Sequence, residues 1–367
     1  MALSMVSLKQ DPSFGLDSRR SWVPAVFLSV SLTTVLIGQY SVGVHFYGIV
    51  RTYGVSQKDS SWPLVLSQSL SFLAGMSVGG VFVAATVLVS QYFEARRATA
   101  IGLIVTLSGT SLLYVPYMAD VCHSTYGING PFLLLGGVML NAFPPVFTLR
   151  SPEWLRRETT PSIRARNEFH EATLAEKSNN HATIDSDHQN LSSNVVAFGM
   201  ATFIMLAVDL ATDREVKPSK AVFLLNVFAA ADICMKPTSG LLVDFKILSL
   251  EAVMFLGFLQ FIACELLAIL KALPLMLASG AIYGVSNGCK FTLLAPCLVK
   301  NFEVEALPIM MGVVTFCNGL ALLTRPLLVV KTYNDLLHFK AGINAFFGVA
   351  WIVQIYMKRR EQPALHT

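Results

Sequence analysis

The chain has 367 residues, of which 54% are hydrophobic and only 14% charged, with a mean hydropathy of +0.58 and a formal net charge of +4. Apolar residues exceed what a soluble core of this length needs, which excludes a soluble globular domain and marks an integral membrane protein. Its basic residues sit in short clusters beside apolar runs, a pattern that orients membrane helices and excludes a nucleic-acid partner.

A membrane helix needs ~20 predominantly apolar residues to cross ~30 Å of hydrocarbon, and several stretches here meet that length without strand-like alternation. The spacing therefore predicts an all-α, multi-pass helical bundle with the lipid bilayer as its surroundings. Residues 1–21 form a polar tail with Lys9, Asp11, Asp17, Arg19 and Arg20, and lack the apolar h-region of a secretory signal. Four apolar segments follow within residues 22–149: Trp22 to Val50, Trp62 to Phe93, Ala98 to Cys122 and Gly130 to Leu149. The second is longer than one straight crossing requires; it is counted once, with tilting or a break at Gly75, Gly79 and Gly80 absorbing the excess.

Residues 150–194 turn polar and lack the large apolar side chains that would offset the entropy of ordering, so they read as a disordered linker between two bundles. Arg156, Arg157, Arg164 and Arg166 place this linker in the cytoplasm by the positive-inside rule. Six further segments fill residues 195–357: Val195 to Leu210, Ala221 to Val243, Ala252 to Leu270, Leu275 to Val299, Ala306 to Val330 and Ala341 to Met357. Residues 358–367, with Lys358, Arg359 and Arg360, form a tail that ten crossings leave cytoplasmic, like the N-terminus. The sequon at Asn190 then faces the cytoplasm and stays unmodified.

Charged residues inside apolar segments are the chemical signal. Placing one near the middle of a membrane helix costs about 2.5–3.5 kcal/mol on insertion scales, so such residues face a protein interior or a watery path. Asp232 and Lys236 lie in one segment with the i, i+4 spacing that puts both on one helix face, where they either serve substrate and coupling or form a structural ion pair. Pro237 follows directly and predicts a kink that frees the Ile233 carbonyl. Lys290, with no opposite charge in its own segment, either lines the cavity or snorkels to a helix end. Arg325 is either a second cation for an anion or a structural partner. Glu265, Asp209 and Asp213 sit near outer helix ends, and Arg96 and Arg97 anchor a cytoplasmic end. The six cysteines read as small apolar fillers, and the scattered histidines offer no metal-ligand spacing. A phosphate-binding glycine loop, a nucleophile elbow and paired intramembrane aspartates are all missing, so no enzymatic activity, cofactor or metal is expected.

Three motifs carry a family likeness: YFEARRATAIGL at Tyr92 to Leu103, YGINGPFLLLGGVMLN at Tyr126 to Asn141, and FLLNVFAAADICMKPTSGLLVD at Phe223 to Asp244. From about Trp22 to Met357, outside the linker, the chain resembles the monocarboxylate transporter family, solute carrier family 16 of the major facilitator superfamily. That family carries an Asp followed four residues later by an Arg on its eighth helix, associated with proton and carboxylate binding; Asp232 matches, and Lys236 stands at the arginine position. The family has twelve spans. Here SLSFLAG, ending at Gly75, joins MSVGG almost directly, so the chain looks like a shortened member with about ten. Where proton-coupled members carry a lysine on the first helix, this chain has Tyr40, a few residues before GVHF. The family's acidic, tryptophan-rich opening of that helix survives only loosely as DSRRSW, Asp17 to Trp22.

The resemblance implies a secondary active transporter of small organic anions such as monocarboxylates, working by alternating access, with proton symport, a plasma-membrane location and a single-span ancillary subunit as further expectations. The substrate or coupling residues are then Asp232, Lys236, Lys290, Arg325 and Tyr40. The alternative is a transport-incompetent truncated isoform or relative acting as a membrane partner or scaffold.

Overall fold

The computed structural model describes residues 15–148 apart from 56, 74–77 and 128, residues 200–216 apart from 201, 205, 206, 208, 209 and 212, and residues 218–361 apart from 302, 303, 305 and 324–332. Among them every regular element is helical. In chain order these are α1 (Trp22–Tyr40), α2 (Val42–Tyr53), α3 (Gln57–Leu73), α4 (Val78–Tyr92), α5 (Arg97–Gly109), α6 (Ser111–Tyr126), α7 (Asn129–Leu140) and α8 (Phe143–Thr148). After further helical turns within residues 200–213 come α9 (Pro218–Asp244), α10 (Leu250–Phe258), α11 (Gln260–Ile269), α12 (Leu273–Asn301), α13 (Leu307–Leu323) and α14 (Tyr333–Glu361). The linker of residues 150–194 and the Gly75–Met76 junction lie outside the described residues.

Each expected apolar segment contains helix, but several are divided. The first splits into α1 and α2 at Ser41, whose hydroxyl bonds back to the Gly38 carbonyl (3.0 Å), and α2 ends on left-handed Gly54 (φ 61°). The second forms two helices, α3 and α4, with α3 beginning at Gln57, earlier than expected. Further divisions fall at Thr110, between α5 and α6, and at Leu259, between α10 and α11. By length and composition, four stretches of the described residues suffice to cross a membrane: Arg19–Tyr40, Arg97–Tyr126, Leu250–Ile269 and Leu337–Met357. Helices α9 and α12, of 27 and 29 residues, are long enough but carry Asp232, Lys236 and Lys290. Both keep these charges on a packed face and turn apolar residues outward, Phe223 and Leu241 on α9 and Leu275 on α12.

Exposure is arranged as a bilayer requires. On α14, Phe346 (64% exposed) and Val349 (61%) face outward, while Lys340 (3%) and Asn344 (1%) face inward, the reverse of a soluble helix. Several hydroxyls within helices bond to carbonyls one turn back, as Thr33 does to Ser29 and Thr34 to Val30 (both 2.7 Å), so the polarity of these groups is satisfied without water.

Packing converges on α9, which lies against α12 on one side and α5 on the other. Glycines permit this. An added Cβ would meet the Phe228 carbonyl oxygen at 2.4 Å from Gly284 and the Asp232 carbonyl oxygen at 3.0 Å from Gly288, so α12 seats its backbone directly on α9. From Gly240 on α9, a Cβ would reach the Ala98 carbonyl oxygen at 2.5 Å, bringing the start of α5 equally close. The N-terminal helices also meet the C-terminal ones where α3 and α4 pack on α13.

Asp17 fastens the start of α1. Its backbone is left-handed (φ 56°), and its carboxylate accepts the N–H groups of Glu94 (3.2 Å), Ala95 (2.9 Å) and Arg96 (3.1 Å) ahead of α5. Arg97 donates to the Phe93 (3.1 Å) and Ser90 (3.2 Å) carbonyls and so closes the end of α4. Buried Cys122, Cys264, Cys289 and Cys297 fit the role of small fillers, whereas Cys234 is exposed, because it lies on a face of α9 turned away from its neighbours.

Candidate functional site

Asp232 and Lys236 meet on the buried face of α9. Their ion pair is 2.5 Å long, and each side chain is 1% exposed. The helical repeat brings i and i+4 together, and α12 completes the environment: Asn287 donates its Nδ2 to Asp232 Oδ1 at 2.9 Å, giving the carboxylate a second partner. The Lys236 ammonium lies 5.4 Å from the centroid of the Phe291 ring, within cation–π range. The Lys236 carbonyl accepts from Ser239 (2.9 Å) and Thr292 (3.3 Å), fixing the helix around Pro237; α9 continues through this proline to Asp244.

The N-terminal helices close the site from the other side. A Cβ on Gly109, at the end of α5, would stand 3.0 Å from Lys236 Nζ, and one on Gly102 would stand 2.7 Å from the Lys236 carbonyl oxygen. Phe291 packs against Phe82 of α4 at a centroid distance of 5.2 Å, and Phe82 in turn lines an apolar cleft with Leu32, Ala85 and Ile104. Tyr40, at the end of α1, is buried within electrostatic reach of Asp232. The charged pair therefore sits where the two sets of helices meet, enclosed by protein on every described side.

Lys290 goes elsewhere. It is 1% exposed, which removes the snorkelling alternative, and its ammonium lies between α11 and α14, donating to Gln260 Oε1 (2.9 Å) and Asn344 Oδ1 (2.5 Å). Arg325 lies outside the described residues, as does Asp209. Glu265 pairs with His338 at 2.8 Å on the exposed flank of α11 and α14. Arg214, beyond Asp213, donates to the Leu270 (2.5 Å) and Ala268 (3.2 Å) carbonyls at the end of α11. Desolvation lowers its guanidinium pKa from the ordinary value, with Asp213 opposing.

Sequence reasoning missed Asn287, although it precedes Lys290 by three positions in the same segment. It missed Lys340 and Asn344 as well: starting the last segment at Ala341 cut Lys340 off a helix that begins at Tyr333. The link from the Thr99 N–H to Asp244 Oδ2 (2.7 Å), joining α5 to α9, carries no local signal at all.

Residues 190–367 match the Major Facilitator Superfamily domain. The chain is also similar to monocarboxylate transporter 2 of Meriones unguiculatus, 23% identical over 386 residues covering 94% of this chain and 79% of that protein. Monocarboxylate transporter 3 of Rattus norvegicus is 23% identical over 382 residues, covering 96% of this chain and 75% of its own length. The chain is thus similar to monocarboxylate transporters along most of its length, and its C-terminal part matches the Major Facilitator Superfamily. Monocarboxylate transporter 12 of Rattus norvegicus extends the relationship, with 23% identity over 342 residues, 84% of this chain and 70% of that protein. The similarity runs along most of the chain and includes α9, which carries the buried charges Asp232 and Lys236.

Proposed function

We propose that the protein moves a small organic anion, of the monocarboxylate class, across the membrane by alternating access, with the Asp232–Lys236 pair at the centre of the site. The observation that carries this reading is a fully buried, oppositely charged pair on α9 enclosed by helices from both sets. An entering carboxylate competes with Asp232 for the Lys236 ammonium. Asp232, displaced from its partner, is the group through which anion movement is coupled to proton movement as symport. Lysine holds the anion as a point charge, without the two-pronged geometry of an arginine, so selectivity for carboxylate shape rests on the surrounding walls, Phe291 and Phe82 among them. Tyr40 adds a polar group from α1, and Arg325 a further cation. Rocking of one set of helices against the other about this pair opens the site alternately to each side. The reading includes ten crossings, with both termini and the linker of residues 150–194 cytoplasmic, a place in the plasma membrane and delivery with a single-span ancillary subunit.

Uptake of radiolabelled lactate or pyruvate into vesicles, with pH clamped on each side, tests it. Parent protein is expected to accumulate substrate on an inward proton gradient and Lys236→Ala is not; equal rates for the two remove Lys236 from the mechanism.

A further inference from the structure

The C-terminal helices contain a second buried polar centre, built around Lys290. Its ammonium has three N–H groups, of which two find acceptors in Gln260 of α11 and Asn344 of α14. Asn344 is held in that orientation because its Nδ2 donates to the Lys340 carbonyl at 2.9 Å. Gln260 is fully buried, and with Oε1 committed to Lys290 its Nε2 makes no hydrogen bond among the described residues, although the Tyr283 side chain is close enough to interact with it. Lys340 donates to the Tyr283 hydroxyl at 3.0 Å nearby. The titratable groups close to Lys290 are Cys264 on α11, Cys289 on α12 and Lys340 on α14, and among the described residues no carboxylate comes within ion-pair distance of it. The stem is pressed by α10, where a Cβ on Gly257 would lie 2.4 Å from Lys290 Cγ, so the ammonium is not free to swing away toward water.

What this centre lacks is all of one kind. The group left without a hydrogen bond is a donor, the amide of Gln260, and the buried charge is positive, faced by the neutral Phe258 ring 5.0 Å from the Lys290 ammonium and, among the described residues, by no carboxylate. A water molecule accepts hydrogen bonds but supplies no charge, whereas a monovalent anion supplies both acceptor lone pairs and the missing negative charge. We propose that Lys290 and the Gln260 amide bind a small monovalent anion, a halide or a carboxylate, inside the C-terminal bundle and separately from the Asp232–Lys236 pair. Bound there, the anion neutralises the junction of α11, α12 and α14 and braces it.

The test is the apparent melting temperature of purified full-length protein in detergent, titrated at fixed ionic strength with sodium chloride or sodium acetate against sodium gluconate. A saturable upward shift over gluconate is expected in the parent and in the charge-neutral double variant Asp232→Asn with Lys236→Met, and its loss is expected in Lys290→Met. A shift with chloride alone assigns a halide site, and one with acetate as well assigns a site open to carboxylates. Gln260→Leu, which removes the amide and leaves the Lys290 ammonium its bond to Asn344, is expected to reduce the shift and serves if Lys290→Met does not fold. No shift in the parent, or an undiminished shift in Lys290→Met or Gln260→Leu, overturns the proposal. Because the readout is the stability of the isolated protein, it succeeds or fails independently of substrate uptake.

Discussion

Removing one member of the Asp232–Lys236 pair separates what the pair does for the fold from what it does for transport. Both side chains are 1% exposed, so Lys236→Met strands the Asp232 carboxylate in the interior with Asn287 as its remaining donor. Breaking a buried pair costs about 3–5 kcal/mol, and a retained hydrogen bond to a charged group contributes about 1.5–3 kcal/mol, which places this variant at the low end, about 3 kcal/mol. Adding Asp232→Asn removes the stranded charge while the Asn287 amide keeps a neutral oxygen to bond, so the double variant is expected to recover most of the loss. Transport behaves differently, because both variants lack the Lys236 ammonium for which the anion competes. The assay is thermal unfolding in detergent beside lactate uptake in vesicles for parent, single and double variants. A single variant within about 1 kcal/mol of the parent refutes the burial argument, and a double variant transporting at the parental rate refutes the role of the pair.

Other outcomes follow from particular contacts. Asn287→Leu leaves one oxygen of Asp232 without its donor and is expected to destabilise by about 1–3 kcal/mol in the same melts. Gly284→Leu drives a side chain into the Phe228 carbonyl, where even a Cβ lies at 2.4 Å, and is expected to abolish monodisperse protein on size exclusion, whereas Gly312→Ala, with nothing within 4 Å, is expected to be tolerated. Asp244→Ala removes the 2.7 Å link to the Thr99 N–H and is expected to speed thiol labelling of a cysteine placed at buried Ala98. Glycosidase treatment of protein from mammalian cells is expected to leave its electrophoretic mobility unchanged, since the proposed topology keeps Asn190 in the cytoplasm; a downward shift overturns that topology.

The sequence by itself determined the class of fold and the leading chemistry. Long apolar runs admit only helices in a bilayer, and the i, i+4 spacing of Asp232 and Lys236 fixes their adjacency on any helix, because both are consequences of local geometry. Only the tertiary structure decided which charges share a centre. Along the chain Lys290 reads as lining the cavity or snorkelling to a helix end; its direction on α12 carries it to Gln260 and Asn344, while Asn287 on the same helix turns to Asp232. Such choices depend on which helices pack together and how closely. Those distances are set by glycines such as Gly284 and Gly257 meeting residues far away in sequence, a relation that no local pattern encodes.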